Sequence, residues 1–101
     1  MKISIIVPCY NEQEALPIFY AETKKVLDSM EYDYEILFVN DGSRDCTLDI
    51  LRELGENDKN VSYLSFSRNF GKEAAMYAGF CNVCGDFIEV MDADMQDSPS
   101  L

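Results

Sequence analysis

Short apolar segments alternate with longer segments of helical periodicity along the whole chain, and this alternation limits the possible folds more than any other feature. Apolar runs rich in β-branched residues predict strands over residues 2–7, 34–39, 61–66 and 87–91. The segments between them predict helices over residues 12–30, 45–54 and 72–84, the last apolar on most sides and therefore expected to be buried. Strands separated by helices of this length favour right-handed crossovers. We therefore predict an α/β fold with a mainly parallel sheet of about four strands and flanking helices.

The size and charge of the chain exclude several classes of function. Its 101 residues fit one domain, and a hydrophobic fraction of 48% argues against disorder. The 8 Lys and Arg against 19 Asp and Glu give a net charge of −11, which makes nucleic acid a poor partner. The absence of His excludes Ser-His-Asp and Cys-His catalysis. No apolar run approaches the roughly 18 residues that a membrane span needs.

Polar residues follow each predicted strand at its carboxyl end, in residues 8–12, 40–43, 67–72 and 92–97. These ends meet at one edge of a parallel sheet, where open α/β sheets bind their ligands. Asp92 and Asp94 place two carboxylates on one side of an extended chain, which suits Mg²⁺ or Mn²⁺ shared with phosphates, and nearby Gln96 adds an uncharged donor. The alternative is a solvated acidic turn, which the position after an apolar strand disfavours.

The other loops at this edge supply a candidate base site and a candidate phosphate site. Asp41 can accept a hydrogen bond from a base N–H, and Tyr10 can stack on the same base. The alternatives are turn and capping chemistry around residues 42–45, and an ordinary half-buried aromatic ring at Tyr10. Arg68 and Lys72 flank the start of the third helix, where a diphosphate or a phosphate-bearing acceptor is favoured. An ion pair with the C-terminal acidic residues explains these two cations equally well; these residues are Asp86, Glu89, Asp92, Asp94 and Asp97.

The four cysteines carry no clear chemical motif. Cys81 and Cys84 form a C-x-x-C pair, but Cys9 and Cys46 are isolated, so a zinc site with four ligands is not indicated. A thioredoxin-type pair would lie at the start of a helix, whereas this pair follows one. We therefore expect small, reduced cysteines packed inside a cytosolic protein.

Four motifs in order resemble the family 2 glycosyltransferases of the GT-A fold. They are Ile-Ile-Val-Pro-Cys-Tyr-Asn-Glu at 5–12, Asn-Asp-Gly-Ser-Arg-Asp-Cys-Thr at 40–47, Ser-Arg-Asn-Phe-Gly-Lys-Glu-Ala-Ala at 67–75 and Asp-Ala-Asp-Met-Gln-Asp at 92–97. The third is similar to the polyprenyl-phosphate branch, which includes bactoprenol glucosyltransferases and dolichol-phosphate mannose synthases. Two departures are Asn40, where the family has Asp, and Ser98 and Ser100, where it tends to have Pro and Glu.

The resemblance implies a metal-dependent, inverting transfer of a sugar from a nucleotide-sugar, with UDP-glucose favoured, to a polyprenyl-phosphate lipid. The implied nucleoside-binding residues are Pro8, Tyr10, Glu12 and, for the base, Asp41. Arg68 and Lys72 would lie near the phosphates. Asp92 and Asp94 would hold Mg²⁺ or Mn²⁺, with Gln96 as a further catalytic residue.

The family's enzymes are considerably longer, so residues 1–101 are expected to be the truncated N-terminal, nucleotide-sugar-binding part of a Rossmann-like GT-A domain. The acceptor half and any membrane helices are absent from them. We expect the full enzyme to be membrane-associated with its catalytic domain in the cytoplasm. The present chain should be soluble and cytoplasmic, should bind nucleotide at most, and should self-associate through an exposed sheet edge.

Two alternative classes remain to be compared with this one. A non-enzymatic binding or signalling module with an acidic Mg²⁺ pocket would place paired acids after the first strand, where this chain has Pro8-Cys9-Tyr10. A nucleotidyltransferase would carry a Gly-rich loop with Lys or Arg at that position.

Overall fold

The computed structural model describes residues 1–93, which form a four-stranded sheet and three helices. In chain order these elements are β1 (Lys2–Cys9), α1 (Ala15–Asp28), β2 (Asp33–Asn40), α2 (Thr47–Asn57), β3 (Val61–Ser65), α3 (Lys72–Asn82) and β4 (Phe87–Val90). Every element predicted from the sequence is present, with ends that differ by a few residues. Asp94 and Gln96 lie outside the described residues.

All strand pairs in the sheet are parallel, and the strand order is β3-β2-β1-β4. In the register, Ile6 of β1 lies opposite Leu37 of β2 on one side and Val90 of β4 on the other. The predicted parallel α/β architecture is therefore confirmed. It brings the carboxyl ends of all four strands to one edge.

The core has two layers because alternate residues of each strand point to opposite faces of the sheet. One face packs Val7 and Phe38 against Phe19 of α1 and Leu51 of α2. The opposite face packs a smaller cluster, formed by Ile6, Leu37 and Val39 of the sheet with Ala75 of α3. Helices α1 and α2 thus share one face, and α3 lies on the other.

The expectation that the third helix is buried is wrong. Only Ala75 and Gly79 of α3 are buried, and Tyr77 is 72% exposed. A Cβ at Gly79 would lie 2.4 Å from Cγ2 of Ile6, so the helix backbone lies directly on the sheet. Among residues 1–93 no further layer covers the outer side of α3, so its large aromatic side chains, Tyr77 and Phe80, stay exposed. An apolar helix is buried on all sides only where a second layer packs on it.

A polar network on α1 ties that helix to the turn after α2. Tyr20 donates a 2.6 Å hydrogen bond to Oδ2 of Asp58, and the Lys24 ammonium lies 3.1 Å from the same oxygen. Burial, followed by this hydrogen bond, raises the pKa of Tyr20 to about 12. Burial also acts to raise the pKa of Asp58, but hydrogen bonds from Tyr20, the Asn60 N–H and Lys24 outweigh it and hold that pKa below its ordinary value.

The cysteine prediction is correct for one residue and wrong for three. None of the four cysteines forms a disulfide within residues 1–93, and Cys9 is buried as expected. Cys46, Cys81 and Cys84 are exposed, because they lie at helix ends and in a loop rather than on the core faces.

The β4 edge of the sheet is open in the part of the chain that the structure describes. β4 pairs with β1, and its Phe87, Ile88 and Glu89 are exposed. Within residues 1–93, no helix is long and apolar enough to cross a membrane.

Candidate functional site

A cleft of about 380 Å³ opens at the carboxyl edge of the sheet. It is lined by Pro8, Cys9, Tyr10, Glu12, Asp41, Lys72 and Asp92. Six of the nine residues selected from the sequence therefore lie around one space. Arg68 is not among the lining residues, and Asp94 and Gln96 lie outside the described residues. Cys9 is the lining residue that sequence reasoning missed, because a buried cysteine at a strand end has no distinctive pattern.

The loop after β1 is fastened to the loop after β2 by reciprocal hydrogen bonds. The Asn11 N–H donates to Oγ of Ser43, and Oδ1 of Asn11 accepts from the Arg44 N–H, both at 2.9 Å. Asn11 adopts a left-handed conformation with φ of 53°, which Asn tolerates better than most residues. Tyr10, next to this turn, lines the cleft and is 44% exposed as a residue. This exposure is what a ring needs to stack on a ligand.

Part of the predicted capping chemistry is present at the start of α2. Oδ1 of Asp45 accepts from the Thr47 N–H at 2.9 Å. Burial acts to raise the pKa of Asp45, but hydrogen bonds from the Thr47 hydroxyl, the Thr47 N–H and the Gln13 N–H lower it overall. Ser43 instead accepts from the loop after β1. Asp45 therefore contributes to the start of α2, whereas Ser43 joins the loop after β2 to the loop after β1.

Asp41 organises the loop that leads into α3. The residue is 4% exposed, and its carboxylate accepts from the Phe70 N–H at 2.7 Å, the Gly71 N–H at 3.0 Å and Nδ2 of Asn69 at 3.3 Å. Backbone and amide donors compensate a buried carboxylate for its lost hydration. Sequence reasoning missed this role, because the donors are 28 to 30 residues away and two of them are backbone groups.

Gly42 allows the loops after β2 and β3 to touch. It has φ of +72°, and a Cβ there would lie 2.2 Å from the carbonyl carbon of Arg68. Two residues before Gly42, Nδ2 of Asn40 donates to Oγ of Ser65 at 3.1 Å. Oδ1 of Asn40 accepts from the Ser43 N–H, also at 3.1 Å. Asn40, which departs from the family motif, therefore uses both its donor and its acceptor. These bonds join the end of β2 to the end of β3 and to the loop after β2.

Lys72 and Asp92 form an ion pair across the cleft. The Lys72 ammonium lies 2.8 Å from Oδ1 and 3.0 Å from Oδ2 of Asp92, and both side chains are partly exposed. The ion pair that the sequence offered as an alternative to a phosphate site is therefore present at Lys72. Arg68 instead places its guanidinium carbon 4.6 Å from the centroid of the Phe70 ring.

Asp92 is the member of the predicted metal pair that the structure describes. Within residues 1–93, no group of three or more Cys, Asp or Glu side chains lies close enough to hold a metal ion. The carboxylate of Asp92 supplies hard oxygen ligands at the cleft, and it already attracts a cation, the Lys72 ammonium.

The topology and the cleft define a parallel α/β domain with a polar ligand site at the carboxyl edge of its sheet. Residues 4–101 match the family model described as "Glycosyl transferase family 2". The chain therefore belongs to glycosyl transferase family 2, as its motifs predict. This membership favours the glycosyltransferase interpretation over the signalling module and the nucleotidyltransferase.

Individual relatives and structures support the same assignment. The chain is 48% identical over 97 residues to the prophage bactoprenol glucosyl transferase homolog of Escherichia coli K12, covering 96% of this chain and 32% of the relative. It is 51% identical over 94 residues to the putative glycosyltransferase CsbB of Bacillus subtilis, covering 93% and 29%. Residues 1–349 of S. aureus TarS in complex with UDP superpose with a TM-score of 0.73 at 26% identity, covering 93% and 28%. The chain thus spans about a third of the length of the curated relatives it matches.

Proposed function

We propose that this chain supplies the nucleotide-sugar site of a glycosyltransferase that transfers a hexose to a polyprenyl-phosphate lipid, with UDP-glucose as the favoured donor. The observation that carries the proposal is the cleft, which gathers an aromatic ring, buried and exposed carboxylates and an ammonium group. Relatives named bactoprenol glucosyl transferase support the sugar and the acceptor. The TarS structure in complex with UDP supports the nucleotide.

The nucleoside would bind between the loops after β1 and β2. Tyr10 offers its exposed ring for stacking, and Pro8 and Glu12 line the same space. Asp41 accepts three hydrogen bonds from the protein, whereas a carboxylate offers about four acceptor positions. One position is therefore left for a base N–H such as N3 of uracil.

The diphosphate would bind at the amino end of α3. The amino end of a helix favours an anion through the N–H groups of its first turn and the positive end of its dipole, and α3 begins at Lys72. A diphosphate there would compete with Asp92 for the Lys72 ammonium, which is exposed enough to turn towards either anion. Arg68 lies on the Phe70 ring outside the cleft lining, so we assign the first phosphate contact to Lys72.

Asp92 and Asp94 would hold Mg²⁺ or Mn²⁺, with Gln96 beside them. The oxygen donors of Asp92 at the cleft fit such a hard cation. When bound, the metal supplies Lewis-acid neutralisation of the negative charge on the departing diphosphate.

The same relatives support a proposal for the acceptor and the location of the whole enzyme. A polyprenyl phosphate is already an anion, so its attack places little demand on a general base. We propose that the full protein works at a membrane, because its polyprenyl-phosphate acceptor is a membrane lipid. We place this domain on the cytoplasmic side of that membrane.

Titration calorimetry of the chain with UDP and Mn²⁺ tests the proposal. We expect saturable binding that is lost in EDTA and is weakened at least about tenfold by Asp92→Asn, since a charge-assisted contact contributes about 1.5–3 kcal/mol. Asp49→Asn is the matched control, because Asp49 is an exposed carboxylate of α2 whose ion-pair partner is Arg52. Absence of binding to folded protein, or equal affinities of the two variants, would contradict the proposed site.

A further inference from the structure

Cys81 and Cys84 lie at the opposite end of α3 from the cleft, and their backbone geometry suits a disulfide. Cys81 is in the last turn of the helix, and both thiols are free and exposed. The two residues between them are helical at Asn82 and extended at Val83, with φ of −111° and ψ of 157°. This order is that of a type VIII turn, in which the first and fourth Cα atoms are within about 7 Å. A disulfide needs Cα atoms about 4.4–6.8 Å apart.

The segment that carries Cys84 is fastened to the sheet. The Cys84 N–H donates to Oε2 of Glu35 at 3.0 Å, and the next N–H, that of Gly85, donates to Oγ of Ser4 at 2.9 Å. A Cβ at Gly85 would lie 2.2 Å from the same Oγ, so this segment lies against β1. Cys84 is therefore held in place beside the end of the helix that carries Cys81.

A cation lies beside the sulfur of Cys84. The Lys2 ammonium is 3.5 Å from Sγ of Cys84 and 3.8 Å from a carboxylate oxygen of Glu35. The thiolate is the form of cysteine that attacks a disulfide, and the Lys2 ammonium is placed to pair with it.

We propose that Cys81 and Cys84 form a reversible dithiol–disulfide site whose oxidant is a small-molecule disulfide such as oxidised glutathione. The thiolate of Cys84 attacks one sulfur of the oxidant, forms a mixed disulfide and expels one glutathione thiolate. The thiolate of Cys81 then attacks the sulfur of Cys84, forms the Cys81–Cys84 bond and expels the second glutathione thiolate. The chain gives up two electrons, which reduce the oxidant, and the two thiol protons go to solvent or to the released thiolates.

The other two cysteines provide internal comparisons. Cys46 is exposed and has no neighbouring cysteine in the sequence, so it can form a mixed disulfide but cannot close a ring by itself. Cys9 is buried, and its Sγ donates to the carbonyl of Val7 at 3.3 Å. If accessibility alone mattered, Cys46, Cys81 and Cys84 would all form mixed disulfides with glutathione. The proposed site predicts that only Cys81 and Cys84 go on to form an intrachain disulfide.

The test is to incubate the reduced chain with oxidised glutathione and to map the products by mass spectrometry. No Lys or Arg follows Lys72, so trypsin releases Cys81 and Cys84 in one peptide, separate from Cys9 and Cys46. We expect this peptide to lose the mass of two hydrogen atoms without gaining glutathione, and to regain it with excess reduced glutathione. Cys46 should carry glutathione only.

Variants separate the proposed pair from simple exposure. Cys81→Ser should leave glutathione on Cys84, and Cys46→Ser should form the intrachain disulfide as the wild type does. Lys2→Gln should slow the first step by up to about fivefold, the size expected for one exposed ion pair. Stable glutathione adducts on both Cys81 and Cys84 of the wild type, with no intrachain bond, would overturn the proposal.

Discussion

The close contact between α3 and the sheet predicts that adding one methyl group at Gly79 will destabilise the fold. The new Cβ would lie 2.4 Å from Cγ2 and 3.2 Å from Cδ1 of Ile6, which is completely buried on the central strand β1. Relief of this overlap requires the helix to move away by roughly 1 Å, and overpacking of this kind costs about 1–3 kcal/mol. Alanine in a helix offsets up to about 1 kcal/mol of that cost relative to glycine.

Gly55 provides a matched control within the same chain. It also lies in a helix, α2, but an added Cβ would lie 3.5 Å from the ring of Tyr63, an ordinary van der Waals distance. Gly55→Ala should therefore raise the free energy of unfolding by up to about 1 kcal/mol, because only the helix propensity changes. The two substitutions are chemically identical and should have opposite signs.

Urea denaturation followed by circular dichroism measures both effects. For Gly79→Ala we expect a net loss of about 1 kcal/mol, which lowers the midpoint by roughly 0.5–1 M. In an Ile6→Ala background the same substitution should cost less, because the overlapping atoms are gone and the two sites are coupled. If Gly79→Ala stabilises the chain as much as Gly55→Ala does, α3 does not pack through Gly79 and the reasoning fails.

Three further predictions concern the cleft, the stability of the fold at low pH and the open edge of the sheet. Gly42→Ala adds a Cβ 2.2 Å from the backbone of Arg68 at a positive φ, so it should cost about 2–5 kcal/mol in urea denaturation and weaken UDP binding. Asp58 has a lowered pKa in the folded chain, so its stabilisation is present above its ordinary pKa of 3.8 and is lost as the pH falls through the folded value. Acid titration of Asp58→Asn should therefore show a shallower loss of stability below that pH than the wild type. Ile88→Lys, on the open strand β4, should shift light scattering towards the monomer if copies associate through that edge, whereas a monomeric wild type would contradict the association.

The sequence was sufficient for the fold because its main signal is periodic. Apolar runs of strand length alternate with helical segments, and few topologies satisfy that order. The burial of α3 could not be inferred in the same way. An apolar residue such as Tyr77 has the same pattern whether or not a second layer covers it, and only the packing decides between the two.

The location of the candidate site could be predicted from the sequence, but its hydrogen bonds could not. The predicted topology placed Tyr10, Asp41, Lys72 and Asp92 at the carboxyl edge of the sheet, and the structure shows all four around one cleft. This prediction needed only the order of the strands and the residues that follow each of them. The hydrogen bonds of Asp41 could not be foreseen, since the N–H groups of Phe70 and Gly71 are present in any sequence.

The charges of the cleft indicate why nucleotide binding should depend on a cation. Among the described lining residues, Glu12, Asp41 and Asp92 are acidic and Lys72 alone is basic. Asp41 is compensated by its hydrogen-bond donors, and the charge of Lys72 is already paired with Asp92. A diphosphate would therefore bring its negative charge to a cleft with no positive charge in excess, in a chain of net charge −11. Binding becomes favourable when a divalent cation accompanies the nucleotide, so omission of Mn²⁺ should abolish UDP binding rather than merely weaken it.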